Sequence, residues 1–297
     1  MLSGIQSYIT APPAGVLPVA VISLDDHGAR RSGIRDKGLP GEWAENYWPA
    51  TDFRNADHAA MAGNTCLATL ETHLGRKLRP GEVGCALSHH NVACWLAESP
   101  HDLMLVLEDD TVPLAPAFEQ SVLSAATTLQ PYARTGAAFV CLLSLEMKFV
   151  RHACKRQVRS RSRQRTSQGP ELFLHSDPDV RIWRAHAYLI SRGAATRTRM
   201  RETRILALAD DWHHRRSLGL IDRIFYSAPV IFGLHGELES SIDAEGARQQ
   251  AGPPEHPSGP PARTGPGLPG PSRLFSKVRR RGRRALARLL SPFPFYV

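Results

Sequence analysis

The sequence has no cysteine pair at C-x-x-C spacing, no apolar run long enough to cross a bilayer, no internal repeat, and no acidic residue beyond Arg273. Its five cysteines, Cys66, Cys85, Cys94, Cys141 and Cys154, form an odd and unpatterned set. That argues against both a disulfide framework and a structural zinc site, and it implies a reducing compartment. The N-terminus lacks a basic leader region. Its apolar stretch near Val16 to Leu24 is interrupted by Pro18 and falls short of the ~20 residues a spanning helix needs. Neither a signal peptide nor a membrane-spanning helix is expected.

What is present is enough apolar sequence for one large core or two small ones: 297 residues, 42% hydrophobic and 22% charged, the range of an ordinary globular α/β enzyme. The 23 glycines and 23 prolines are concentrated, with eight prolines and five glycines falling between Ala251 and Ser272. The net charge of +9 is also localised. Residues 273–297 hold eight Arg or Lys and no acid, leaving +1 for residues 1–272. The basicity is a property of a tail, not of the globular part.

Along the chain, Val19 to Leu24 is a continuous apolar run rich in β-branched residues that predicts a buried first strand ending in a loop. Arg30 and Arg31 then open a short polar helix. Residues 38 to 80 carry Gly38, Pro40, Gly41 and Pro49 as breakers, with one helix expected near Ala59 to Thr72. Gly81 to Leu96 has near-helical apolar spacing and stops at Ser99-Pro100; its Leu/Trp face is expected on the sheet. Leu103 to Leu107 reads as a strand that passes directly into Glu108-Asp109-Asp110. Further elements are a helix over Phe118 to Leu129, a strand over Ala137 to Leu143, a strand over Ala185 to Ile190, a helix over Arg192 to Met200, and a strand over Ile224 to Phe232 interrupted by Pro229. Arg151 to Arg165 holds seven basic residues without an apolar face and is expected to be an exposed, mobile loop. Alternating strands and helices predict a mainly parallel sheet covered on both faces.

In such sheets ligands bind beyond the carboxyl ends of strands, where the acidic triplet falls. Adjacent acids raise one another's pKa unless a cation or water offsets the repulsion. The triplet therefore either caps a solvated turn or holds a divalent ion. Alternation along an extended segment lets Glu108 and Asp110 share an ion while Asp109 faces elsewhere. Mg²⁺ or Mn²⁺ prefers such oxygen ligands and is commonly completed by substrate phosphates.

The string Gly81-Glu-Val-Gly-Cys-Ala-Leu-Ser-His89, then a Trp-containing helix and Leu-Val-Leu-Glu-Asp-Asp-Thr-Val, resembles glycosyltransferase family 25. That family includes bacterial lipooligosaccharide galactosyltransferases and, more distantly, collagen galactosyltransferases. The resemblance extends over most of residues 19–243: Val21 to Leu24 with Arg30-Arg31, Tyr188-Leu-Ile-Ser-Arg192, Ala209-Asp-Asp-Trp212, Pro229 and Ser240-Ser-Ile242. Residues 38–80 and 151–165 have little counterpart, so acceptor choice could reside there.

The resemblance implies a GT-A-like, Rossmann-type α/β fold and a UDP-sugar-dependent hexosyltransferase of lipopolysaccharide biosynthesis. The implied reaction moves galactose from UDP-galactose to a glycolipid or oligosaccharide acceptor, by single displacement with inversion to a β linkage. Glu108 and Asp110 would hold Mn²⁺ or Mg²⁺. Arg30, Arg31, Ser88, His89 and Asp109 would line the sugar-nucleotide pocket. Asp211 or its neighbour Asp210 would act as general base, although the pair could equally cap a helix before Trp212. His235 is a further candidate metal ligand.

These readings divide the chain into an extension (1–18), a glycosyltransferase domain (19–250), a Pro/Gly linker (251–272) and a tail (273–297). In the tail Leu274, Val278, Ala285, Leu286 and Leu289 share one helical face among arginines, which suits an anionic membrane surface better than nucleic acid. The expected location is cytoplasmic, peripheral on the inner face of a bacterial inner membrane. The alternative is a non-enzymatic nucleic-acid- or membrane-binding protein whose acidic turn is structural.

Overall fold

The computed structural model describes residues 16–36, 38–45, 47–145, 163–164, 169–175 and 182–234. The linker and tail, His235, Cys154, the Ser240-Ser241 motif and nearly all of the arginine-rich segment lie outside these residues. Among them no helix is long and apolar enough to cross a membrane.

The strands are β1 (Val19–Ser23), β2 (Tyr47–Pro49), β3 (Leu103–Glu108), β4 (Thr111–Pro113), β5 (Phe139–Leu142), β6 (Arg163–Gln164), β7 (Glu171–Leu174), β8 (Ala187–Ser191), β9 (Arg223–Ala228) and β10 (Phe232–Leu234). The helices are α1 (Gly28–Asp36), α2 (Gly41–Glu45), α3 (His58–Asn64), α4 (Leu67–Leu74), α5 (Pro80–Glu98), α6 (Phe118–Arg134), α7 (Arg192–Arg201) and α8 (Trp212–Ser217). Eight strands form one sheet in the order β2-β1-β3-β8-β5-β9-β7-β6, and β10 pairs with β4 in a separate ribbon.

The parallel arrangement expected from the sequence holds for β2-β1-β3 and for β5-β9. Between these blocks β8 runs antiparallel to both β3 and β5, so the sheet is mixed. A fully apolar run is buried on both faces whichever way it points, and its composition carries no direction. The carboxyl end of β8 is tied to the chain entering β5. There Ser191 donates its hydroxyl to the Ala137 carbonyl at 2.8 Å, accepts from the Phe139 amide at 2.9 Å and also caps α7. Gly193 packs there so closely that a Cβ would stand 2.3 Å from the Gly136 carbonyl oxygen.

Strand alternation divides the core into two layers. Ala20, Ile22, Met104, Val106, Tyr188 and Ile190 pack under Val92 and Leu96 of α5, Ala194 of α7 and Trp212 of α8. Val19, Val21, Leu103, Leu105, Leu107 and Leu189 pack on Val122, Ala125 and Leu129 of α6. Trp95 is partly buried; it packs against this layer and stacks on His101, beside the fully buried Leu96. The helix expected near 59–72 is two helices, parted at Thr65, which bridges to Ile205. The run from Ile224 to Phe232 likewise divides at Pro229, which lacks the amide a continuing ladder needs.

Candidate functional site

β1 and β3 are parallel neighbours, with Ile22 beside Glu108, so the loop after β1 and the acidic triplet emerge together at one sheet edge. The amino-terminal half of α5 covers this edge. An open cleft with a cavity volume of about 110 Å³ results, lined among others by Ser23, His27, Arg30, Arg54, Cys85, Ser88, His89 and all three acids.

The G-C-x-x-S-H string does its structural work through the helical period. Gly84 permits the backbone of residues 51–53 to lie against the helix, because a Cβ there would stand 2.6 Å from the Thr51 carbonyl oxygen. One turn later Ser88 accepts the Thr51 amide at 2.9 Å and donates to the Gly84 carbonyl at 2.7 Å. Ser88 is fully buried and fixes a wall of the cleft. On the adjacent stripe Cys85 and His89 approach Glu108. His89 Nε2 lies 3.1 Å from Glu108 Oε1, and its Nδ1 lies 2.8 Å from the Tyr188 hydroxyl.

The three acids have three different environments. Asp109 is 5% exposed; it accepts from Ser23 Oγ at 2.8 Å and from Arg30 Nη1 at 2.7 Å, and lies 3.3 Å from His27 Nδ1. It locks the loop after β1 to the end of β3. Burial opposes the charge on Glu108, yet the His89 contact holds its carboxyl below the usual range. Burial, reinforced by Glu108 and Asp109, pushes Asp110 well above it, and Asp110 Oδ1 is buried without a hydrogen-bond partner. Strand alternation ends at Glu108, where a turn begins, but Glu108 and Asp110 still line the same cleft.

Arg31 lies elsewhere. Its guanidinium stacks over the Tyr47 ring at 4.4 Å and donates to Ser23 Oγ and to the Leu24 and Asp25 carbonyls, so it braces β1 rather than lining the cleft. Asp211 is the N-cap of α8, accepting the His214 amide at 3.0 Å, while its other oxygen lies 2.9 Å from His73 Nε2. Its carboxylate is buried in that capping role. Asp210 is different: burial, and then Glu108, push it up to about 6.

Sequence reasoning missed Cys85, His27 and Arg54. Arg54 bridges the loop after β1 to its own loop through Asp26 at 2.8 Å and Asp52 at 2.6 Å. The i, i+4 spacing of Cys85 and His89 was the available signal.

An open α/β sheet with an acidic strand end, a paired arginine and a covered cleft beyond the strands puts the candidate site where sheets of this kind bind ligands. The chain belongs to glycosyltransferase family 25, described as an LPS biosynthesis protein, which matches residues 16–204. It is therefore a glycosyltransferase of lipopolysaccharide biosynthesis, and the family implies a nucleotide-sugar donor and a glycan acceptor. No curated protein matches the chain. Family membership displaces the alternative of a non-enzymatic binding protein.

Proposed function

We propose that this glycosyltransferase uses a GT-A-type, metal-assisted single displacement to move a hexose, galactose from UDP-galactose, onto a lipooligosaccharide or related surface glycan. The observation that carries the reading is that Glu108 and Asp110, whose buried Oδ1 lacks a hydrogen-bond partner, line one cleft that also presents Arg30. Two neighbouring carboxylates with opposed pKa shifts suit a divalent cation. Glu108 and Asp110 would hold Mn²⁺ or Mg²⁺, which supplies Lewis-acid stabilisation of charge on the leaving diphosphate when bound.

The chain's own groups have separable tasks. His89, braced by Tyr188, orients Glu108. Asp109 holds Arg30 at the cleft, where a guanidinium favours phosphate. The acceptor oxygen forms a bond to the sugar C1 as the bond from C1 to the diphosphate oxygen breaks, and UDP departs with the electron pair. Asp210 takes the acceptor proton. Inversion to a β linkage follows from one displacement.

The test is turnover of a UDP-sugar panel with Mn²⁺, with and without EDTA, in wild type and Asp110→Ala. Metal-dependent transfer lost in the variant is expected; metal-independent, mutation-insensitive behaviour would sink the reading. Residues 273–297 would bring the enzyme to an anionic inner-membrane surface carrying the acceptor. Deleting them should abolish sedimentation with anionic liposomes, and unchanged sedimentation would refute that role.

A further inference from the structure

Cys85 Sγ, His89 and Glu108 place one thiol, one imidazole nitrogen and one carboxylate oxygen within 4.8 Å of one another at the cleft. This is a different donor chemistry from the oxygen pair of Glu108 and Asp110. We propose that Cys85, His89 and Glu108 form a binding site for a thiophilic divalent ion, zinc, whose occupancy withdraws Glu108 from the donor metal. The inhibitory consequence rests on the role of Glu108 proposed above; the site itself does not.

Three features support it. Cys85 and His89 are four residues apart on α5, so both project from one face of a long, packed helix. His89 Nε2 and Glu108 Oε1 are 3.1 Å apart, close to the roughly 3.3 Å edge of a tetrahedron whose metal–nitrogen and metal–oxygen bonds are ~2.0–2.1 Å. Since all three donor atoms lie within 4.8 Å of one another, drawing them to the roughly 3.3–3.6 Å edges of a zinc tetrahedron takes a movement of little more than about 1 Å at most. Behind the ring, the Tyr188 hydroxyl lies 2.8 Å from Nδ1, the kind of outer partner that fixes the tautomer and aim of a ligating histidine. A hydroxyl can accept from Nδ1–H, which leaves the Nε2 lone pair for the metal.

The donor set selects the ion. Thiolate with imidazole suits zinc and cobalt, whereas Mg²⁺ and Mn²⁺ prefer oxygen. Three protein ligands at a cleft leave a fourth position to water or substrate, as in open rather than structural zinc sites. The competing explanation is a plain hydrogen bond from His89 to Glu108 with Cys85 as an inert neighbour, and it predicts no thiolate coordination.

Cobalt titration of the full chain separates the two. The site predicts a near-ultraviolet thiolate-to-cobalt charge-transfer band that saturates at one equivalent, is displaced by zinc, is lost in Cys85→Ser and persists in Cys94→Ser. An absent band, or one unchanged in Cys85→Ser, overturns the proposal. Should Cys85→Ser fail to fold, alkylation of wild-type Cys85 read by mass spectrometry decides: zinc should protect it, and equal labelling with and without zinc overturns the site. Turnover without a cobalt band defeats this site alone, and a band without UDP-sugar turnover defeats only the donor reading.

Discussion

Gly84 and Thr51 are in backbone contact: a Cβ at position 84 would stand 2.6 Å from the Thr51 carbonyl oxygen and 3.3 Å from Phe53 Cβ. Helix propensity alone would favour alanine in α5 by about 1 kcal/mol. A clash with main chain cannot be relieved by a side-chain rotation, and overpacking costs about 1–3 kcal/mol. Gly84→Ala should therefore lower stability in urea denaturation, and it should raise the KM for donor because residues 51–54 wall the cleft. Unchanged stability and KM together would contradict the contact.

Arg30 and Asp109 form a largely buried ion pair at 2.7 Å, with side chains 14% and 8% exposed. Charge-assisted bonds of this sort contribute roughly 1.5–3 kcal/mol. A double-mutant cycle of Arg30→Ala and Asp109→Asn, measured by urea denaturation, should give a coupling energy of about 1–3 kcal/mol. Additive effects would show that the pair is not the lock between the loop after β1 and the end of β3.

Glu202, just beyond α7, is almost fully buried, with His90 Nδ1 at 3.5 Å and Arg215 at 3.9 Å. Burial opposes its charge, but His90, Arg215 and the Leu206 amide together hold its carboxyl below 4.5. A depressed folded-state pKa means the stabilisation is present above the unfolded value and is lost as pH falls through the folded one. Glu202→Gln should cost about 1–3 kcal/mol near pH 7 by leaving the buried Arg215 and the partly exposed His90 without their carboxylate. Its difference from wild type should shrink on acidification below 4.5. A difference independent of pH would contradict an ionised Glu202.

The strands and long helices were legible because their apolar runs and 3.6-residue spacing are local signals. The site was legible in part. Glu108 and Asp110 stand at the expected strand end, with Arg30 of α1 on the same cleft, and the order of motifs named the family. Three things were not local. The antiparallel direction of β8 belongs to the chain's topology and is not written in its apolar composition. The division of labour within the triplet depends on Ser23, His27 and Arg30 meeting Asp109 from across the sheet edge. Arg31, read as a pocket residue, braces backbone instead, while Ser88 does line the cleft but spends its hydroxyl on backbone, because a hydroxyl or guanidinium in sequence does not announce whether its partner is a ligand or a carbonyl.

The adjacent acids Asp210 and Asp211 carry opposite predictions. Asp211 caps α8 and meets His73, so Asp211→Ala should lower stability by about 1 kcal/mol while kcat stays within a few-fold of wild type. Asp210, raised to about 6 first by burial and then by Glu108, is suited to accept a proton near neutrality. Asp210→Asn should reduce kcat by roughly 10²- to 10⁴-fold with little change in the urea midpoint. A base must be deprotonated to act, so the wild-type rate should fall about tenfold per pH unit below about 6, and the residual rate of Asp210→Asn should lack that limb. Pre-steady-state transfer measured from pH 5 to 8 distinguishes the two positions. If Asp211→Ala abolishes transfer while Asp210→Asn retains it with the acid limb intact, the proton is accepted at the helix cap and the assignment of Asp210 fails.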